Sequence, residues 1–224
     1  MSGPNVTPLA LVCAIVLAVA APRLSAAEPP AGSTPGQGPS PEPAPAQVWQ
    51  STVGEGFAPA AQSLSLEAGA SRGLAVFGTR QQHDLALTCL GYGRTVGHVK
   101  GRGHWFQGNL ELRAELFAGS EFSPSSQWIA GLTPHLRYDF ATGTRLVPFF
   151  GIGAGVTGTG IREPDLSNAF EFNLQAGGGA HWFFKDNLAL TLEFRYLHLS
   201  CAGISFPNLG VNTLLGTVGL SRFF

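Results

Sequence analysis

The chain has 224 residues, a formal net charge of −1 and only 12% charged residues. A soluble domain usually carries about 25% charged residues, so the composition argues against an ordinary soluble protein and favours a lipid-facing surface. The near-zero net charge gives no indication of the basic surface that nucleic-acid-binding proteins use, and no nucleic-acid partner is expected.

The N-terminal residues 1–27 have the pattern of a secretory signal peptide. Residues 8–21 (PLALVCAIVLAVAA) form one apolar run, and the small residues 25–27 follow it. The run is shorter than the about 20 residues of a membrane-spanning helix, and an apolar run of this length before small residues is typical of a cleaved export signal. A membrane-anchor helix stays open as the alternative, because no Lys or Arg precedes the run.

Residues 28–61 are predicted to form a disordered linker. Its first part, 28–47 (EPPAGSTPGQGPSPEPAPAQ), consists mostly of Pro, Gly, Ser and Ala. Such a segment cannot bury enough apolar surface to fold. We interpret the linker as an extended periplasmic tether in front of a folded domain over residues 62–224.

From residue 62 onward the sequence alternates between apolar and polar positions with a period of two, which is typical of β-strands. In 188–200 the even positions are mostly apolar, whereas the odd positions include Glu193 and Arg195. Eight segments of this kind are predicted: 63–70, 84–94, 105–117, 128–140, 147–157, 168–183, 188–200 and 212–224.

These segments predict an all-β fold, an eight-stranded antiparallel transmembrane β-barrel of the outer membrane. Several run for ten residues or more, close to the about 9–11 that a tilted membrane strand needs. The polar face is too charged for the dry core of a soluble lipocalin-like barrel, which is the alternative, so the apolar face is expected outside. Short connections alternate with longer ones, as periplasmic turns alternate with outer loops: 141–144 and 185–187 are short, and 118–126, 158–168 and 201–211 are longer.

The interior of such a barrel is filled by side chains, so a wide pore is not expected. The inward charges have both signs and are predicted to pair with one another: Glu111, Arg113, Glu115, His135, Arg137, Asp139, Glu171, His181, Glu193 and Arg195. The GxGxxG match at 153–158 has no helix pattern after it, so we interpret its glycines as room for large interior side chains.

The last predicted strand ends in Phe224, which resembles the assembly signal of outer-membrane barrels, so the assembly machinery is an expected partner. Cys13 lies in the leader. The remaining Cys89 and Cys201 could form one disulfide, and the sequence does not decide whether they do. The chain has no CxxC or HExxH pattern, so neither a metal site nor a cofactor is expected.

Three polar residues interrupt the lipid-facing positions near the last predicted loop. His198 and Ser200 continue the apolar even positions of the seventh strand, and Asn212 shares the outward parity of the eighth. Because these strands pair across the 201–211 loop, the three side chains are predicted to meet on the outer wall at head-group height. A hydroxyl beside an imidazole with a third orienting group is the general arrangement of an activated serine. Ordinary interfacial polar residues are the alternative.

The segment around these residues resembles a known family. It contains His198-Leu-Ser200 and Pro207-Asn-Leu-Gly210, and it is similar to the His-x-Ser and Pro-Asn-x-Gly signature of the lipid A 3-O-deacylases, also called acyloxyacyl hydrolases. The resemblance implies an eight-stranded barrel in the Gram-negative outer membrane. It also implies hydrolysis of the acyl chain that is ester-linked at position 3 of lipid A, with outer-leaflet lipopolysaccharide as the substrate.

Carried over residue by residue, the resemblance implies Ser200 as the nucleophile and His198 as the base, with Asn212 where the family has glutamate. Cys201 stands where the family has an asparagine implicated in oxyanion stabilisation. An amide can accept a hydrogen bond from the imidazole but cannot offset its positive charge, so Asn212→Glu is predicted to raise the rate. These departures leave a non-catalytic barrel with a structural or surface-interaction role as the alternative.

Overall fold

The computed structural model describes residues 48–162 and 164–224, and these form a closed barrel of eight antiparallel strands. Each strand pairs with its neighbours in the chain, and β1 pairs with β8 to close the barrel. The eight predicted strands are confirmed as β1 Gln62–Gly73, β2 Asp84–Lys100, β3 Gly108–Ser123, β4 Trp128–Phe140, β5 Leu146–Thr159, β6 Phe170–Lys185, β7 Leu188–Ser200 and β8 Val211–Phe223. The predicted signal peptide and residues 28–47 of the linker lie outside the described residues. In the described part of the chain, no helix is long and apolar enough to cross a membrane.

The alternating sequence turns the apolar side chains outward. On β7, Leu192 and Phe194 are 48% and 56% exposed, whereas Glu193 and Arg195 between them are 5% and 2% exposed. An apolar outer surface is stable against lipid, and closing the ladder into a barrel pairs the backbone groups that lipid cannot solvate. The fold is therefore that of a transmembrane outer-membrane barrel.

The barrel interior contains a network of buried ion pairs, as predicted for the inward charges of β3, β4 and β7, whereas Glu171 on β6 takes part in none of those among the described residues. The Arg195 guanidinium lies 2.8 Å from Glu115 and the Arg113 guanidinium 3.0 Å from Glu67. A buried charge is costly unless a partner of opposite sign is in contact, and each of these arginines has one. Gly153, in the GxGxxG segment of β5, leaves space for an interior ring, since a Cβ there would lie 2.7 Å from His135 Nδ1.

A short N-terminal segment fills one end of the barrel, where a disordered linker was predicted. All residues of the 3₁₀ helix Val53–Phe57 except Glu55 are buried, and so is the preceding Trp49. The Phe57 ring stacks on Trp49 at 4.2 Å between centroids and also contacts Phe183 and Phe223. The prediction of a disordered linker is therefore wrong for residues 48–61, because their apolar side chains pack into one end of the barrel interior.

The connections divide the barrel into two ends. One end, called the loop end, carries the β1–β2, β3–β4, β5–β6 and β7–β8 connections: 74–83, 124–127, 160–169 and 201–210. The other, called the turn end, carries 101–107, 141–145 and 186–187. The prediction of a long loop at 118–126 is wrong, because β3 continues through most of this segment. Glu121, in this part of β3, has a buried carboxylate that binds His83. Cys89 and Cys201 are both free thiols.

We predict that the loop end faces the cell exterior, because short turns are periplasmic in barrels of this type. Ser126→Cys, in the β3–β4 loop, should be labelled by a membrane-impermeant maleimide on intact cells. Asp186→Cys, in the β6–β7 turn, should be labelled only after the outer membrane is permeabilised, and the unmodified protein supplies the background. Labelling of Asp186→Cys alone on intact cells would show the reverse orientation.

We predict that the N-terminal segment stabilises the barrel. Phe57→Ala removes a fully buried ring and should lower the free energy of unfolding by about 3–5 kcal/mol. Urea titration of the detergent-solubilised protein measures it. The matched control is Phe77→Ala, since that ring is 84% exposed and should change stability by less than about 0.5 kcal/mol. Equal effects of the two changes would mean that Phe57 does not stabilise the fold.

Candidate active site

His198, Ser200 and Asn212 lie together on the outer wall near the loop end, as the sequence predicts. His198 pairs directly with Asn212 across β7 and β8. On the other side, Leu174 and Phe172 of β6 pair with His198 and Ser200 and point outward. The three polar side chains therefore interrupt an otherwise apolar surface at the point where β7 ends.

The side chains form a continuous hydrogen-bonded series. Ser200 Oγ lies 3.1 Å from His198 Nε2, and His198 Nδ1 lies 2.7 Å from Asn212 Oδ1. In this arrangement the hydroxyl can donate to one ring nitrogen while the other ring nitrogen donates to the amide oxygen. This is the geometry of a serine nucleophile, a histidine base and an orienting acceptor.

The orientation of the Asn212 amide is determined by the β1–β2 loop. Asn212 Nδ2 donates to the Val76 carbonyl at 3.2 Å and to Thr79 Oγ1 at 2.5 Å. A carbonyl oxygen can only accept, so the amide nitrogen must face Val76 and the amide oxygen must face His198. Nδ1 of His198 then carries the ring proton, and Nε2 is left to accept from Ser200.

Two further polar groups complete this environment. The Tyr196 hydroxyl donates a hydrogen bond to Asn212 Oδ1, and the Thr79 hydroxyl donates to the Gly210 carbonyl at 3.0 Å. Tyr196 shares the outward parity of His198 on β7, so the alternation contained a signal for it. Thr79 and Val76 lie in an irregular loop, where no periodicity relates them to the site, and sequence reasoning missed them.

Gly210 supports the imidazole from the β7–β8 loop. Its φ is +81°, a conformation that residues with a Cβ rarely adopt. A Cβ at this position would also lie 2.8 Å from His198 Cε1 and 3.0 Å from the Leu199 carbonyl oxygen. Both the backbone conformation and the closeness of the imidazole therefore require glycine.

Cys201 does not take the place of the family asparagine. Its side chain is buried, and its Sγ donates to the Ser205 carbonyl at 3.4 Å. Its backbone N–H donates to Asn208 Oδ1 at 3.0 Å. Neither polar group of Cys201 is thus free to bind a substrate oxygen.

The loop carboxylates do not replace the missing glutamate where the structure describes them. Asp165 is fully buried and accepts hydrogen bonds from the backbone N–H groups of Arg80 and Gln81 rather than from His198. Glu163 lies outside the described residues. Asn212 is therefore the partner of His198 in this protein.

The two loops that border the site carry exposed apolar side chains. Phe77 in the β1–β2 loop is 84% exposed, and Ile204 and Phe206 in the β7–β8 loop are 72% and 83% exposed. Large exposed apolar groups beside a lipid-facing wall are stable where they contact acyl chains. A molecule held in the same lipid layer can therefore approach Ser200 from the side.

Comparisons with known proteins identify a family and a set of similar folds. Residues 90–221, more than half of the chain, match the family model described as lipid A 3-O-deacylase (PagL). No curated protein is significantly similar to the chain in sequence.

Solved structures with a similar fold are bacterial outer-membrane barrels. The outer membrane enzyme PagL is 19% identical, with a TM-score of 0.49, and the match covers 70% of this chain and 97% of that chain. Neisserial surface protein A is 14% identical, with a TM-score of 0.54, and the match covers 73% and 99%. At this identity, the similarity to Neisserial surface protein A concerns the fold alone.

Proposed function

Because this chain belongs to the lipid A 3-O-deacylase family, we propose that it is an outer-membrane esterase that removes the acyl chain ester-linked at position 3 of lipid A. The observation that carries the proposal is the hydrogen-bonded series Ser200–His198–Asn212 on the lipid-facing wall. A nucleophile in that position can reach an ester in the outer leaflet without the substrate entering the barrel.

Acylation would begin with proton transfer from Ser200 to His198. The proton moves from Oγ to Nε2, and Oγ attacks the carbonyl carbon of the ester. The tetrahedral intermediate collapses when His198 Nε2 returns the proton to the sugar oxygen, which leaves as an alcohol. The acyl chain is then bonded to Ser200. Water enters from the head-group layer, gives a proton to His198 Nε2 and attacks the acyl carbon. The second tetrahedral intermediate collapses when His198 returns this proton to Ser200 Oγ, which releases the fatty acid and regenerates the free serine.

Backbone amides would stabilise the oxyanion in place of the family asparagine. The Cys201 N–H group is held by Asn208, so the next donor in the chain is the N–H group of Ala202. Ala202 and Gly203 turn the chain sharply, with φ values of +53° and +79° directly after Ser200 and Cys201. Backbone N–H groups in such turns are effective oxyanion donors, since they need no reorganisation during the reaction.

The Asn212 amide serves as the orienting group for the base. It accepts from His198 Nδ1, which keeps Nε2 basic toward Ser200. The amide does not offset the imidazolium charge as a carboxylate would, but its neighbours Val76 and Thr79 present acceptors to it. The site is therefore built for an amide rather than for a carboxylate.

The location and partners follow from the same proposal. The substrate is lipid A, or lipopolysaccharide, in the outer leaflet of a Gram-negative cell. Export through a signal peptide over residues 1–27, and recognition of β8 with its terminal Phe224 by the outer-membrane assembly machinery, belong to the proposal as well. Phe224 is 58% exposed at the turn end of the barrel, where such machinery could contact it.

We predict that Ser200→Ala abolishes deacylation without unfolding the barrel. Loss of the nucleophile should reduce the rate by at least about 10³-fold. Mass spectrometry of lipid A from cells that express each form measures the product. Ser126→Ala is the matched control, because Ser126 is an exposed serine at the same end of the barrel. If the unaltered protein and Ser200→Ala leave lipid A equally intact, the barrel is a scaffold and not an esterase.

We predict that a carboxylate at position 212 slows the reaction, contrary to the expectation from the sequence. In Asn212→Asp, a carboxylate oxygen would face the Val76 carbonyl oxygen, and the hydrogen bond from the amide nitrogen would be lost. The expected fall in kcat is about tenfold, which corresponds to one lost hydrogen bond of about 1.4 kcal/mol. Asn212→Glu should fall as well. A rise in kcat for either variant would show that charge on this residue outweighs its orientation.

A further inference from the structure

We propose that Asp165 is a positioning residue for the active site, which holds two loops against Asn212 and His198 at once. The proposal rests on the proposed function, because it concerns the same site. Asp165 lies in the β5–β6 loop and makes no hydrogen bond to Ser200, His198 or Asn212, which are called the triad below. It acts through the β1–β2 and β7–β8 loops.

The Asp165 carboxylate binds the β1–β2 loop. Oδ1 accepts from the Arg80 N–H group at 2.7 Å, and Oδ2 accepts from the Gln81 N–H group at 2.9 Å. Oδ2 also lies 3.0 Å from His83 Nε2. The side chain is fully buried, and hydrogen bonds to a buried carboxylate are among the stronger ones in proteins. This loop is therefore fixed one residue after Thr79.

The Asp165 main chain binds the β7–β8 loop. Its carbonyl oxygen accepts from the N–H groups of Leu209 and Gly210 at 2.9 and 3.2 Å. The next residue, Leu166, forms a β-bridge with Asn208. The loop that follows Ser200 is thus held by the same residue that holds the β1–β2 loop.

Both the β1–β2 loop and the β7–β8 loop contact the triad. Thr79 accepts from the Asn212 amide nitrogen and donates to the Gly210 carbonyl, which joins the two loops directly. Gly210 in turn lies against the edge of the His198 ring. A shift of either loop would release the Asn212 amide or the imidazole from the orientation that Ser200 needs.

The other side of His83 connects this group to the barrel wall. His83 Nδ1 lies 2.5 Å from Glu121 on β3, and the hydroxyl of Ser125 also donates to the Glu121 carboxylate. Asp165 is therefore held against the rigid strands as well as against the two loops. Its position is determined by the barrel, which makes it suitable for placing loop residues accurately.

Asp165→Asn tests the proposal while preserving size and shape. One carboxylate oxygen becomes an NH₂ group that faces a backbone N–H group, so one loop contact turns repulsive. A misplacement of about 1 Å costs on the order of 10²-fold in rate. We expect kcat for lipid A deacylation to fall by about that factor while KM changes by less than about twofold, because the acyl chain and head group still bind the same outer wall.

The matched control is Asp84→Asn, the same chemical change at another buried carboxylate of the loop end. Asp84 binds Arg72 and the Gly73 N–H group at the end of β1. The proposal expects its kcat to stay within about threefold of the unaltered protein, with both variants folded by heat-modifiable electrophoretic mobility. An equal fall in kcat for both variants would show general loosening of the loops and would overturn the positioning role.

A double variant separates positioning from stability. If Asp165 acts through Thr79, then Asp165→Asn should reduce kcat by less than about threefold once Thr79→Val is present. Independent, multiplicative losses would contradict the proposal.

Labelling of Ser200 by a fluorophosphonate probe distinguishes failure of this proposal from failure of the proposed function. Slower labelling in Asp165→Asn supports positioning even if lipid A is not the substrate. Unchanged labelling, in an active or inactive protein, overturns it. A protein that neither deacylates lipid A nor reacts with the probe overturns both.

Discussion

The constraint on which the structure depends is that lipid offers no hydrogen bonds to a backbone. Every strand must therefore pair on both sides, and the ladder must close through β1 and β8. Closure imposes strict alternation, so each side chain lies either in the lipid or in the crowded interior. The charged side chains in the interior form ion pairs such as Arg195–Glu115. His198 and Ser200 are polar side chains that point neither into the hydrocarbon layer nor into the interior, because they lie at the end of β7.

The candidate active site is consequently shared between two kinds of structure. The strands supply the pairing of His198 with Asn212 and bring Ser200 within reach of the imidazole. The loops determine the orientation of these side chains, because Thr79 binds the Asn212 amide and Gly210 lies against the His198 ring. The geometry of the site is determined by strands that carry His198, Ser200 and Asn212 and by loops that are held by buried hydrogen bonds.

The parts that the sequence predicted are those governed by alternation. The eight strands, the inward charges and the outward parity of His198, Ser200 and Asn212 all follow from a period of two. Contacts between loops have no such period, so the hydrogen bonds of Thr79 and Val76 to the Asn212 amide could not be predicted from the sequence. The buried segment near Phe57 was also missed, because its proline-rich neighbour dominated the composition. Residues 48, 49, 53 and 57 did contain apolar side chains at helical spacing.

The parity of β7 also limits how this strand can change in evolution. His198 and Ser200 face the lipid only because an odd number of residues separates each from its outward neighbours. A deletion of Arg195 or of Tyr196 would turn His198 and Ser200 into the barrel and expose Leu197 and Leu199 in their stead. Changes of length in β7 are therefore confined to gains or losses of residues in pairs.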